Sequence, residues 1–145
     1  MASIRAATPR DGVHIARHQY FRLDARQDDL RAYGEWVADE LAKGTYIGFL
    51  AEANGQVIAG AGVLVLNGGP SKGNRNPLHA RIVNVYVFEK FRRKGVAFDL
   101  IDRILGACRM QGITRFSDTA NNDSKKLFEA AGFEFVENEM FLEIA

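Results

Sequence analysis

The stretch VNVYVFEKFRRKGVAFDLIDRILGAC, Val83 to Cys108, joins two different apolar patterns through a cationic turn. Residues 81–87, RIVNVYV, are β-branched and aromatic and predict a buried strand. From Ala97 onward, Leu100, Ile101, Ile104, Leu105 and Cys108 recur at the three-four spacing of a helix's apolar face, and Gly112 marks its end. Arg92, Arg93, Lys94, Gly95, Val96 and Ala97 therefore lie where a strand passes into a helix N-terminus. Backbone N–H groups at such a terminus lack intrahelical partners and point outward with the positive end of the helix dipole, so the turn suits an anion. Small residues at 95 and 97 let a phosphate approach those amides. A pyrophosphate is the expected occupant; a merely solvated basic turn is the alternative.

The rest of the chain bounds what that turn can serve. With 145 residues, 47% of them hydrophobic, one compact domain spanning residues 1–145 is expected. Nineteen basic against eighteen acidic residues leave a formal charge of +1, which supplies no global field for nucleic acid or an anionic membrane, so any anion site is local. The lone Cys108 excludes an internal disulfide framework, and His14, His18 and His79 show no metal-ligand spacing. No apolar run approaches a membrane span and the first residues lack a signal core, so a soluble, cytoplasmic protein is expected, with neither nucleic acid nor membrane as partner.

Toward the N-terminus, residues 3–6 predict a short strand, and Thr8-Pro9-Arg10-Asp11 a helix start with Thr8 as N-cap, the helix running to about Leu23. Leu30, Tyr33, Val37 and Leu41 place a second helix between Asp28 and Lys43, capped by Gly44. Two strands flank Asn54-Gly55, a tight hairpin turn. Residues 67–80, NGGPSKGNRNPLHA, read as a long mobile loop, either a plain hairpin connection or a substrate-contacting flap. Gly68 and Gly73 have the spacing of a nucleotide phosphate loop, but Asn74-Arg75 follow where that loop needs Lys and Ser or Thr. The dinucleotide fold is disfavoured too, because the glycine triplet it needs is missing and the turn lies two-thirds along the chain.

Arg92-x-x-Gly95-x-Ala97 after an NVYV strand resembles motif A of the GCN5-related N-acetyltransferases, Q/R-x-x-G-x-G/A. Downstream, Asn121 to Phe133, NNDSKKLFEAAGF, resembles the family's closing motif, in which an Asn begins a helix, a Leu-Tyr pair follows and Gly-Phe opens the next strand. The two motifs stand in the family's order; the first 80 residues carry no signature. The resemblance implies an α/β (α+β) fold with a mixed, mostly antiparallel sheet of about seven strands flanked by about four helices. It implies acetyl-CoA as cosubstrate in a splay between the strands at 81–88 and 114–119, and a small-molecule or peptide amine as acceptor. A homodimer is compatible with it.

The expected cofactor contacts are backbone groups of Val85, Tyr86 and Val87 for the amide-bearing pantetheine arm, Arg92 to Ala97 for the pyrophosphate, and Asn121. A backbone N–H near Val87 is the implied oxyanion contact. Many relatives carry a glutamate on the strand before motif A, whereas ARIVNVYV has no carboxylate, which leaves Asp118 and Glu52 as candidate bases. Phe128 occupies the position of the family's tyrosine acid and has no proton to donate; Tyr86, Ser124 or water are the substitutes, and packing of the helix face is the plain role of the ring. A non-catalytic acyl-CoA-binding module with the same fold is the alternative function.

Overall fold

The computed structural model describes residues 2–21, 24–118, 124–134, 140 and 142–144. Strand β1 is Ser3–Ala6 and helix α1 is Gly12–Gln19, entered through a short 3-10 turn at Pro9–Asp11. Helix α2 is Gln27–Lys43, followed by strands β2, Tyr46–Ala53, β3, Gln56–Asn67, and β4, Leu78–Val87. Helix α3 is Val96–Arg109, strand β5 is Phe116–Ser117, and helix α4 is Lys125–Ala130.

The strands form one sheet in sequence order, antiparallel from β1 to β4 and parallel between β4 and β5. The mixed, mostly antiparallel sheet with four helices matches the expected class, with five strands rather than about seven among the described residues. Asn54 and Gly55 make the β2–β3 turn with φ of 53° and 76°, the pair of positive angles that an Asn-Gly hairpin accommodates.

Two apolar layers sandwich the sheet. Ile58, Val63 and Ile82 pack with Leu100, Ile101, Ile104 and Cys108 of α3 on one face. Burial pushes the Cys108 thiol up to about 11, so it serves as a small hydrophobe. Tyr46 and Leu50 pack with Ile15 of α1 and Val37 of α2 on the other face.

Thr8 caps the entry to α1 as expected, and Asp11 makes a further interaction that sequence did not indicate. Its carboxylate accepts from the Thr8 backbone N–H at 2.8 Å and from both terminal nitrogens of Arg5 at 2.8 and 2.9 Å. The Arg5 pairing holds the Asp11 carboxyl below the usual carboxylate range. Helix α1 ends at Gln19, short of the expected Leu23, which lies outside the described residues.

The connection at 67–80 is a second correction. Pairing of β3 with β4 continues to Asn67 and Leu78, so the loop is shorter than the composition suggests. It is also tied down: Ser71 and Asn74 bridge each other, Asn76 Nδ2 donates to the Gly112 carbonyl at 2.6 Å, and Arg115 donates to Ser71 Oγ at 3.0 Å. These bonds hold it against the α3–β5 connection.

Candidate active site

Strand β5 pairs with β4 only at Ala80–Phe116 and Arg81–Ser117. Beyond Arg81, that edge of β4 takes no further strand among the described residues, and the space beside it is the wedge of the candidate site. The direction of the free edge groups follows from the ladder on the other side. Phe88 N–H donates to the Ile58 carbonyl at 2.7 Å, and Ala59 stands opposite Val87. Because antiparallel residues alternate between the two edges, Val87 turns its N–H and C=O away from β3 and into the wedge.

The register of β4 shifts before that point. Gly60 faces Tyr86 and Gly62 faces Val83, so β4 carries one residue more than β3 between them, and Asn84 adopts φ of 59°. This is a β-bulge. Its effect is to put Val83 and Asn84 on the same face: Val83 packs in the α1/α2 layer, and Asn84 Nδ2 bonds the hydroxyl oxygens of Tyr33 and Tyr46 there, at 2.9 and 3.0 Å. Val85 and Val87 pack their side chains against the α3 layer, as plain core residues.

The cationic turn follows. Gly95 caps α3 with φ of 80°, a conformation glycine reaches without steric cost, and a Cβ built there would meet nothing within 4 Å. The first intrahelical bond is Asp99 N–H to the Gly95 carbonyl, which leaves the amides of Val96, Ala97 and Phe98 without partners inside the helix. Arg92, Arg93 and Lys94 are exposed around it. Arg92 also reaches back, its Nε donating to the Val87 carbonyl at 2.9 Å, and Lys94 Nζ lies 5.8 Å from the centre of the Phe91 ring. The Arg92–Val87 bond ties the cationic turn to the end of β4.

The proposed proton-transfer residues do not converge in the same way. Glu52 sits on β2, two strands from β4, and its carboxylate pairs with Arg5 Nε at 3.2 Å. Asp118 is half-buried just beyond β5, and Ser124 precedes α4. Phe128 is 4% exposed and belongs to the α3-side core, its ring edge-on to Phe133 with centroids 5.3 Å apart. The residue Asn121 lies outside the described residues.

Tyr86 faces the α1/α2 side, in surroundings the motifs gave no hint of. Its ring stacks on His18 of α1, centroids 4.7 Å apart and planes 22° from parallel, and lies 4.9 Å from the ring of Phe21. His18 is only 7% exposed, and burial, with His14 nearby, lowers its pKa to about 4, so the imidazole is neutral at pH 7. A Cβ at Gly60 would come within 2.8 Å of its Nδ1, so the missing side chain on β3 is what admits the ring. The signal for this was the run AGAG, Ala59 to Gly62: small residues in a central strand require bulky partners above it. Tyr46 over Gly62 obeys the same rule.

Comparison with known proteins agrees with this fold. The family model described as the acetyltransferase (GNAT) family matches residues 11–133. No curated protein matches the chain. Among solved structures, a predicted acetyltransferase with acetyl-CoA from Clostridium acetobutylicum superposes with a TM-score of 0.88 at 22% identity, over 99% of this chain and 96% of that one. A GCN5-related N-acetyltransferase from Ralstonia eutropha JMP134 gives 0.85 at 24% identity, over 99% of both chains. The glucosamine-6-phosphate N-acetyltransferase of Arabidopsis thaliana gives 0.78 at 13% identity, over 100% of this chain and 99% of that one. At these identities the superpositions establish the fold.

Proposed function

The chain belongs to the GNAT family of acetyltransferases, and from that premise we propose that it transfers the acetyl group of acetyl-CoA to a primary amine of a small molecule or peptide. The observation that carries this reading is the continuity of the free β4 edge with the open turn at Arg92–Ala97. An amide-bearing arm ending in a pyrophosphate needs strand-like hydrogen-bond partners along its length and cationic, side-chain-free amides at its end. Both are present, in that order, within about a dozen residues. A similar structure described as a complex with acetyl-CoA supports the same cosubstrate.

Bound there, acetyl-CoA supplies a thioester carbonyl for attack by an amine. The N–H of Val87 is directed into the wedge, where it can stabilise the oxygen of that carbonyl as negative charge develops. Arg92, Arg93, Lys94 and the free amides of α3 hold the phosphates, and their role is positioning. Attack forms the N–C bond and breaks the C–S bond; the amine gives up a proton and the sulfur leaves as a thiolate. A thiol with a pKa of about 8.5 leaves without a dedicated acid, which fits a chain whose Phe128 cannot act as one. Tyr86, with its phenol on the acceptor-facing side of the bulge, is the strongest proton-handling candidate.

The test is acetyl transfer from acetyl-CoA to a panel of amines, following free thiol and the mass of the product. Thiol release matched by acetylated amine supports the reading. Binding of acetyl-CoA with no product from any amine supports a non-catalytic acyl-CoA-binding module instead.

A further inference from the structure

Aromatic rings flank Tyr86 on the side of β4 opposite the α3 core. His18 and Phe21 flank it at 4.7 and 4.9 Å. Two residues earlier on the same face, Asn84 bonds Tyr33, whose ring meets Tyr20 at 5.8 Å and Trp36 at 5.4 Å. The aromatic wall therefore runs from the end of α1, across the first turns of α2, to the bulge beside Val87. Phe21 and Trp36 are 43% and 41% exposed, so the wall is open at its outer end.

Three polar groups beside the wall carry no charge. Burial raises the Tyr33 and Tyr46 phenols above their ordinary value, and burial lowers His18, so all three are neutral at pH 7. His18 is more than nine-tenths buried, and neither ring nitrogen has a hydrogen-bond partner among the described residues. The ring nitrogens are not sealed from solvent, so a ligand on this wall can reach them. A planar, apolar body would stack on the rings, and its ammonium group would be attracted by their faces.

We propose that the acceptor is a primary amine carried on a flat apolar body, an arylalkylamine in chemical class, selected by the wall of Tyr20, Phe21, Tyr33, Trp36 and Tyr86 with His18 as its polar contact. The proposal rests on the acetyltransferase reading and adds the substrate class to it. The wall ends at Tyr86, next in sequence to Val87, whose N–H is the proposed oxyanion contact.

The experiment measures kcat/KM for 2-phenylethylamine, tryptamine, spermidine, kanamycin and a lysine-containing peptide with the full chain, with calorimetric titration of acetyl-CoA alongside. The aryl amines are expected to exceed the others by about tenfold or more, and Phe21→Ala and Trp36→Ala to raise the aryl-amine KM by about tenfold while leaving acetyl-CoA affinity unchanged. Preference for spermidine, kanamycin or the peptide, or aryl-amine KM values indifferent to both substitutions, would overturn the proposal. Acetyl-CoA binding without aryl-amine turnover overturns this inference and spares the cofactor site. Failure to bind acetyl-CoA overturns both.

Discussion

Arg92 Nε donates to the Val87 carbonyl at 2.9 Å, joining the cationic turn to the strand whose N–H faces the wedge. The bond orients the residue that would contact the thioester and fixes the turn that would hold the phosphates. The carbonyl it occupies belongs to the free β4 edge, so Arg92 works as a strut for the site as well as a charge. Arg92→Lys retains the charge but cannot keep the guanidinium geometry. Both Arg92→Lys and Arg92→Ala should weaken acetyl-CoA binding, by about tenfold for the alanine variant. Lysine restoring full affinity would show that only charge matters at this position.

Arg93 has no such tie among the described residues and adopts φ of 63°, with its side chain exposed. Its contribution is expected to be electrostatic. Acetyl-CoA affinity should fall as salt rises, and Arg93→Ala should both weaken binding and flatten that dependence. The check is calorimetry at low and high ionic strength; parallel salt curves for the two proteins would contradict it.

Much of this surface was legible in the sequence because it depends on local pattern. A β-branched run, a basic turn with Gly95 and a periodic helix define strand, turn and helix without long-range information, and the structure has all three at β4, 92–95 and α3. What escaped was what neighbouring elements bring to the face of the sheet. Asn84 inside an apolar strand marks a bulge only once the register against Gly60 and Gly62 is known. His18 looked like one histidine without metal spacing, and its significance comes from sitting over Gly60, 42 positions away in the chain. Glu52 shows the same dependence: a carboxylate near a strand end suggested a base, and the sheet order sets it two strands from β4 and beside Arg5.

Phe128 shows how burial alters an expectation. Sequence position alone set this ring where the family's tyrosine acid stands. The ring is 4% exposed and packed edge-on to Phe133 in the core. Phe128→Tyr should therefore lower stability by about 1–3 kcal/mol, the cost of a buried hydroxyl without a partner, with no gain in rate. Melting and steady-state turnover on one preparation decide it. A faster enzyme of unchanged stability would mean that the para position reaches the cleft.

His18 gives the fold a pH dependence of definite sign. Its pKa is about 4 when folded, against an ordinary value of 6.5, so the unfolded chain binds the extra proton between these values. Stability from this residue is complete above about pH 6.5 and is lost as pH falls toward 4, at a total of roughly 3 kcal/mol for a gap of that size. His18→Phe keeps a ring against Tyr86 and cannot titrate, so its melting temperature should vary less across this range. Equal slopes for the two proteins would remove His18 as the cause.

Gly95 tests the account most directly, because Gly44 provides a matched control. Both adopt left-handed backbone, with φ of 80° and 79°, and a Cβ at either would meet nothing within 4 Å. Alanine at each position should cost a similar 1–2 kcal/mol or so of stability from backbone strain. Only at Gly95 would the added methyl stand where a phosphate approaches the α3 amides. Calorimetric titration with acetyl-CoA is therefore expected to show affinity reduced by about tenfold or more for Gly95→Ala and unchanged for Gly44→Ala. A folded Gly95→Ala protein that binds acetyl-CoA as tightly as the parent would contradict the assignment of the turn at Arg92–Ala97 as the pyrophosphate site.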